Sequence, residues 1–210
     1  MSLSLIRLVF AAVLSLALAG CTSTASNQTP SSAPMALAAT TAFAPNDGGA
    51  SPYARAKPYF VEFRARTALS YGHTFAVFGV LDQNGRVPTD ANGVLIPSMT
   101  EVTGLHPAST SNVPYTIGHV LPVPSETGPS DGDTENAYMT ANYRIDLTEE
   151  QYRDLVAHIR EMQASSPVWH AVLYNCSAYV SDIAEHLGLK TPNPMLFPEN
   201  YINTLKEMNS

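Results

Sequence analysis

The chain has 210 residues, with 11 Lys and Arg against 18 Asp and Glu, a formal charge of −7 at neutral pH. No basic cluster interrupts that acidic balance, which argues against nucleic acid, or an electrostatic grip on anionic lipid headgroups, as the main partner. Only two cysteines are present, Cys21 and Cys176.

The N-terminus opens with Arg7 ahead of an apolar run over residues 8–19, then Leu18-Ala19-Gly20-Cys21. A short charged start, an apolar stretch and small residues before a cut site mark a secretory signal. The run is shorter than the roughly 20 apolar residues of a membrane-spanning helix. Its last four residues resemble the lipobox of bacterial lipoproteins. The resemblance implies a signal peptide over residues 1–20 and a Cys21 that carries acyl chains such as palmitate. The membrane is then a partner through this lipid anchor. Thr22, where an Asp would imply retention at the inner membrane, implies the periplasmic face of the outer membrane within the cell envelope. Residues 21–54 are rich in Ser, Thr, Ala and Pro and poor in charge, a composition that buries too little apolar surface to offset its ordering entropy, and they read as a flexible tether. Residues 55–210 are then one domain with a proper core, and no internal repeat divides them.

Within that domain, "KPYFVEFRARTALS" (57–70) reads as a strand, and "GHTFAVFGVLDQNGRV" (72–87) as a second strand running into an Asn84-Gly85 turn. The returning strand is expected over residues 100–105, a further strand over 115–124, an acidic Gly-containing loop over 125–137, and a strand over 138–147. The period then changes. Thr148 and Gln151 form a capping box, and Tyr152, Leu155, Val156, Ile159 and Met162 recur at helical spacing, predicting a helix over 149–164. A short strand over 168–175 leads into a helix from Cys176 stopped at Gly188, and a last helix is expected over 198–208. The fold class is α+β, an antiparallel sheet of four to six strands packed with helices.

If Cys21 is acylated, Cys176 has no partner within the chain, although an envelope compartment favours disulfides. It either packs as a small buried hydrophobe or acts as a nucleophile. Cys176 falls in the first turn of its helix, with Asn175 as N-cap. The free N–H groups and positive dipole end there favour the thiolate and can hold an oxyanion. A thiolate needs a base. Of six histidines, His158 falls on the polar side of its helix, His186 in a last helical turn, and His170 reads as a packing or orienting residue, with the role of base as its outside alternative. His119 lies in an expected strand. His73 opens an apolar strand directly after Gly72.

"YGHTFAVFG" early and "YNCSAYVSDIAEHLG" late, with Asn175, Cys176, Tyr179 and Val180 as the closest local match, resemble the circularly permuted NlpC/papain-like fold. That group includes relatives of lecithin:retinol acyltransferase and bacterial envelope hydrolases, and its order is histidine first and cysteine last. The resemblance implies a thiol hydrolase with Cys176 as nucleophile and His73 as general base. The third, orienting residue is then His106 by its place at the end of the following strand, with Glu101 and His119 as alternatives. It also implies an amide substrate, a peptidoglycan peptide in the envelope, or in the acyltransferase branch a lipid acyl bond. A non-catalytic binding lipoprotein on the same fold is the alternative from another class. No Cys-x-x-Cys or His-x-x-x-His spacing occurs, so neither a metal nor a cofactor is expected.

Overall fold

The computed structural model describes residues 57–68, 71–165 and 167–210. The expected signal peptide, acylated Cys21 and tether lie outside the described residues. Four strands form the main sheet. Strands β1 (Tyr59–Arg66) and β2 (His73–Val80) pair antiparallel from Tyr59↔Val80 to Arg66↔His73. Strand β3 (Thr100–Thr103) flanks β2, and β6 (Met139–Leu147) flanks β1, giving the order β3-β2-β1-β6 with every pairing antiparallel. A smaller antiparallel sheet joins β4 (His106–Pro107), β5 (Val123–Glu126) and β7 (Val168–Trp169). Among the described residues four α-helices complete the architecture, α1 (Asn112–Ile117), α2 (Glu149–Ala164), α3 (Cys176–His186) and α4 (Pro198–Met208), with a single 3-10 turn at Asn136–Tyr138. The domain is mixed α+β, antiparallel sheets packed against helices.

Side chains alternate across a strand, and here both faces of the main sheet are covered. Val61, Phe63 and Ala65 of β1, with Ala76 and Phe78 of β2, face the helices. Against them lie Leu155 and Ile159 of α2, Tyr179, Val180 and Ile183 of α3, and Tyr201, Ile202 and Leu205 of α4. The Thr148–Gln151 capping box forms in both directions and starts α2 where the pattern placed it. On the opposite face Phe60, Phe75 and Val77 pack with Leu81 and Leu95 from the connection between β2 and β3. Fully burying each such phenylalanine contributes about 1.5–3 kcal/mol. Glu62, Arg64 and Arg66 share this second face and are buried as well. They persist there because they are paired, Arg64 Nε to Glu62 Oε1 at 2.6 Å and Arg64 Nη1 to Asn136 Oδ1 at 2.9 Å.

Three segments depart from the sequence reading. Residues 115–124 are not a strand: Ser111 caps α1 by accepting from Val113 N at 3.2 Å, and strand pairing is confined to β5. A proline at position 114, in the first turn, suits a helix start better than a strand. The strand expected over 168–175 ends at Trp169, and His170 and Tyr174 then close a tight turn through reciprocal backbone bonds of 3.0 and 3.2 Å. The Asn84-Gly85 turn forms, with Gly85 at φ +73°, but the chain wanders over residues 87–99 before β3 returns to β2. The return passes so close that a Cβ on Gly79 would overlap the Met99 carbonyl. Gly79→Ala is therefore expected to cost about 3 kcal/mol through overpacking and a φ of +159°. Chemical denaturation of the two proteins measures it.

Candidate active site

The register of the central hairpin sets the site. Arg66 and His73 are directly opposed at the end of β1 and β2, so both side chains project from the same face. There they meet Asp133, a carboxylate only 1% exposed that is carried by the loop between β5 and β6. Arg66 Nε bonds Asp133 Oδ1, and Arg66 Nη2 donates to Ser130 Oγ at 2.8 Å. Asp133 Oδ2 accepts from Ser130 N at 2.7 Å and from its hydroxyl at 2.9 Å, and stands 3.7 Å from His73 Nε2. The imidazole is braced further by Phe75, two residues along the same face, whose ring stacks on it at 5.8 Å between centroids.

The next residue on β2, Thr74, points to the helix side and meets the start of α3, where its hydroxyl lies 3.2 Å from Ser177 Oγ. Asn175 caps α3 as its spacing predicted, its Oδ1 accepting from Ala178 N at 3.0 Å. Its Nδ2 donates to Ala171 O and Pro194 O, which occupies both amide hydrogens. Asn175 thus acts as cap and brace. Donors for an oxyanion come from the backbone of the first turn, where Cys176 and Ser177 stand ahead of the N–H groups of Ala178 and Tyr179 that Asn175 already engages.

Cys176 is the first residue of α3, a partly exposed free thiol within hydrogen-bonding reach of His73. Burial pushes its pKa up. Against this act the hydrogen bonding and charge of His73 and donors from the side chain and backbone of Thr74, which together bring the thiol down to about 7. Burial likewise pushes His73 down, but the hydrogen bond and charge of Cys176, then the charge of Asp133, raise it above the ordinary imidazole value despite Arg66. Each member of the pair favours the other's charged form.

The other histidines are placed differently. His106 lies beside His73, the rings edge to face at 6.3 Å, but its Nδ1 engages its neighbour's carbonyl, Pro107 O, at 3.1 Å rather than His73. Glu101 is not brought to the site. It sits opposite Phe78, five residues along β2 from His73, and pairs with Arg160 of α2. His119 lies across the groove on its aromatic wall, bonded through Nδ1 to Tyr115 O at 2.9 Å and edge-on to Trp169. His170 orients a turn, its Nδ1 accepting from Val172 N and Leu173 N. His158, expected to be a solvated surface residue, is instead half-buried and stacked on His186 at 4.0 Å.

Asp133 is the residue that sequence reasoning missed. Its signal was indirect: Arg66 falls on the strand face shared with Phe60 and Phe75, and a buried guanidinium needs an acid somewhere in the chain. The pair of Cys176 and His73 lies in a groove of about 860 Å³. One end is polar, with Arg66, Glu126, Ser130 and Asp131. The other is aromatic and apolar, with Tyr115, Trp169, Met195 and Phe197. Comparison with protein-family models, with curated proteins and with solved structures finds no match to this chain.

Proposed function

We infer that the domain is a thiol hydrolase acting by acyl transfer, on a permuted papain-like architecture, and that an acylated Cys21 holds it at the cell-envelope membrane. One observation carries the reading: Cys176, at a helix N-terminus, lines an open groove together with His73, whose influence helps lower the thiol pKa to about 7. The Cys176 thiolate attacks an acyl carbonyl, the C–S bond forms, and the carbonyl electron pair moves onto oxygen beneath the first-turn N–H groups of α3. Collapse of that intermediate expels the leaving amine, which takes the proton of the His73 imidazolium. Water then attacks the thioester, His73 accepts its proton, and the carboxylic acid leaves as the thiolate is restored. Asp133, 3.7 Å from His73 Nε2, favours the charged form of the imidazole.

An amide in a peptidoglycan peptide is the favoured substrate, since the polar end of the groove offers the carboxylates of Glu126 and Asp131 to a peptide's positive charge. The aromatic end favours a second reading, the same chemistry on a lipid ester. The test is intact-mass spectrometry after acid quench, with peptidoglycan peptides and with short-chain aryl esters as acyl donors. A mass increment on Cys176 that hydroxylamine removes, and that Cys176→Ala lacks, is the expected result. The donor that gives it identifies the bond cleaved. Failure to acylate with either, together with alkylation of Cys176 that rises only near the free-thiol pKa, overturns the enzyme reading and leaves a binding lipoprotein.

A further inference from the structure

Charged residues make up 14% of the chain, yet residues 102–125, 162–181 and 191–198 contain no Lys, Arg, Asp or Glu. The fold brings parts of all three together around the aromatic end of the groove. Ala171 N donates to Gly118 O at 3.0 Å, Asn175 Nδ2 to Pro194 O at 3.1 Å, and the Tyr115 ring lies 5.4 Å from that of Trp169. Each segment presents an apolar tip at a turn: Val120 and Leu121 after α1, Val172 and Leu173 after β7, Met195 and Phe197 before α4. Val120 is 76% exposed and Leu173 73%. Isolated exposed hydrophobics are common on soluble domains, but contiguous ones rimming a groove mark an interaction surface.

We propose that this uncharged rim docks the domain onto a lipid bilayer, the tips entering the acyl region with the aromatic end of the groove facing the membrane. The backbone at the tips commits the surface to lipid. An N–H entering hydrocarbon costs several kcal/mol unless a partner within the protein satisfies it. Here Val120 N and Leu121 N both donate to Ile117 O, at 2.9 and 3.0 Å. Val172 N and Leu173 N both donate to His170 Nδ1, Met195 N to Asn193 Oδ1 and Leu196 N to Asn193 O. Six donors at three separate turns are thus satisfied before any partner arrives. A protein partner would not require this, and a second copy seated on the rim would close the groove. Among the described residues no helix is long and apolar enough to cross a membrane, so the contact is interfacial. The acylation expected at Cys21 supports the same occupant, because it would hold the domain beside a bilayer.

The single tryptophan of the chain makes the test specific. Trp169 lies beneath the rim, against Gly118 and Tyr115, and the N-terminal apolar run has no tryptophan of its own. The full chain carrying Cys21→Ser, which cannot be acylated, is mixed with vesicles of phosphatidylcholine brominated on its acyl chains. Trp169 emission is expected to fall several-fold, and equally at about 0.1 M and 1 M salt because no charge is involved. In Leu121→Asp/Leu173→Asp the quenching should disappear while the N-terminal run still carries the protein to the vesicles. Vesicle-bound protein whose Trp169 stays unquenched, or no binding at all, overturns the proposal. So does a dimer in sedimentation that the same two substitutions dissociate, which would assign the rim to a second copy. The alkylation profile of Cys176 in these samples reads the thiol pair separately, so docking and catalysis can fail independently.

Discussion

Replacing His73 with alanine should move the midpoint of Cys176 alkylation from about pH 7 to the free-thiol value of about 8.5 or above. The sign follows from the opposing effects at the sulfur. Burial favours the neutral thiol, and His73 is the largest influence against it, ahead of Thr74. Without the imidazole, Thr74 alone opposes burial, and the thiolate becomes a minor species at neutral pH. Turnover should fall by about 10²–10⁴-fold, the span general acid–base catalysis supplies. Iodoacetamide rates measured across the pH range on both proteins provide the first check, and substrate hydrolysis the second. A midpoint that ignores His73 would mean that the helix terminus alone lowers the thiol pKa, and the coupled pair would have to be abandoned.

Substitutions at Asp133 should have the other large effect, and they separate stability from catalysis. Asp133→Ala leaves Arg66, itself only 9% exposed, without the carboxylate that neutralises it. Breaking a buried pair from one side costs about 3–5 kcal/mol, which urea denaturation should register directly. Asp133→Asn retains an acceptor for Arg66 and should fold with a smaller loss. It nevertheless removes the negative charge that helps raise His73, so the His73 pKa should fall and the pair should lose its charged form at lower pH. The readout is the pH–rate profile, whose alkaline limb should move towards acid while KM changes little. If the asparagine variant keeps the parent profile, Asp133 is a partner of Arg66 alone, and the imidazole is positioned by other contacts.

The sequence carried α2, α3 and α4, and singled out Cys176 and His73, because each rests on a local signal. The capping box at Thr148, the apolar spacing of α3 and the Asn175–Cys176 junction each lie within a few residues, where periodicity and capping act. What was illegible depends on contacts between distant segments. Residues 115–124 hold enough β-branched and aromatic residues to suggest a strand, but Ser111 and Pro114 start a helix there instead. The third polar residue was sought on the strand after His73, at His106 and Glu101. His106 arrives beside the imidazole, Glu101 lies five residues along β2, and the carboxylate comes from an irregular loop 60 positions later in the chain. No period marks Asp133 in that loop. Only the cross-strand register of Arg66 with His73 creates a place for it.

That register also limits which length changes the protein can accept over evolutionary time. His73 and Thr74 are neighbours on β2 that serve the site from opposite faces of the sheet, one towards Asp133 and the other towards Ser177. A single-residue deletion between Gly72 and Gly79 would exchange the two faces, turning the imidazole towards the helices and leaving the carboxylate without it. A two-residue change keeps the faces but displaces the ring by about 7 Å along the strand, beyond reach of the sulfur. The connection over residues 81–99 is under a far weaker constraint, since doubling a loop's length adds only about 0.6 kcal/mol of closure entropy. Descendants of this chain are free to differ in the length of that connection, while the eight residues of β2 must be inherited as a block of fixed length.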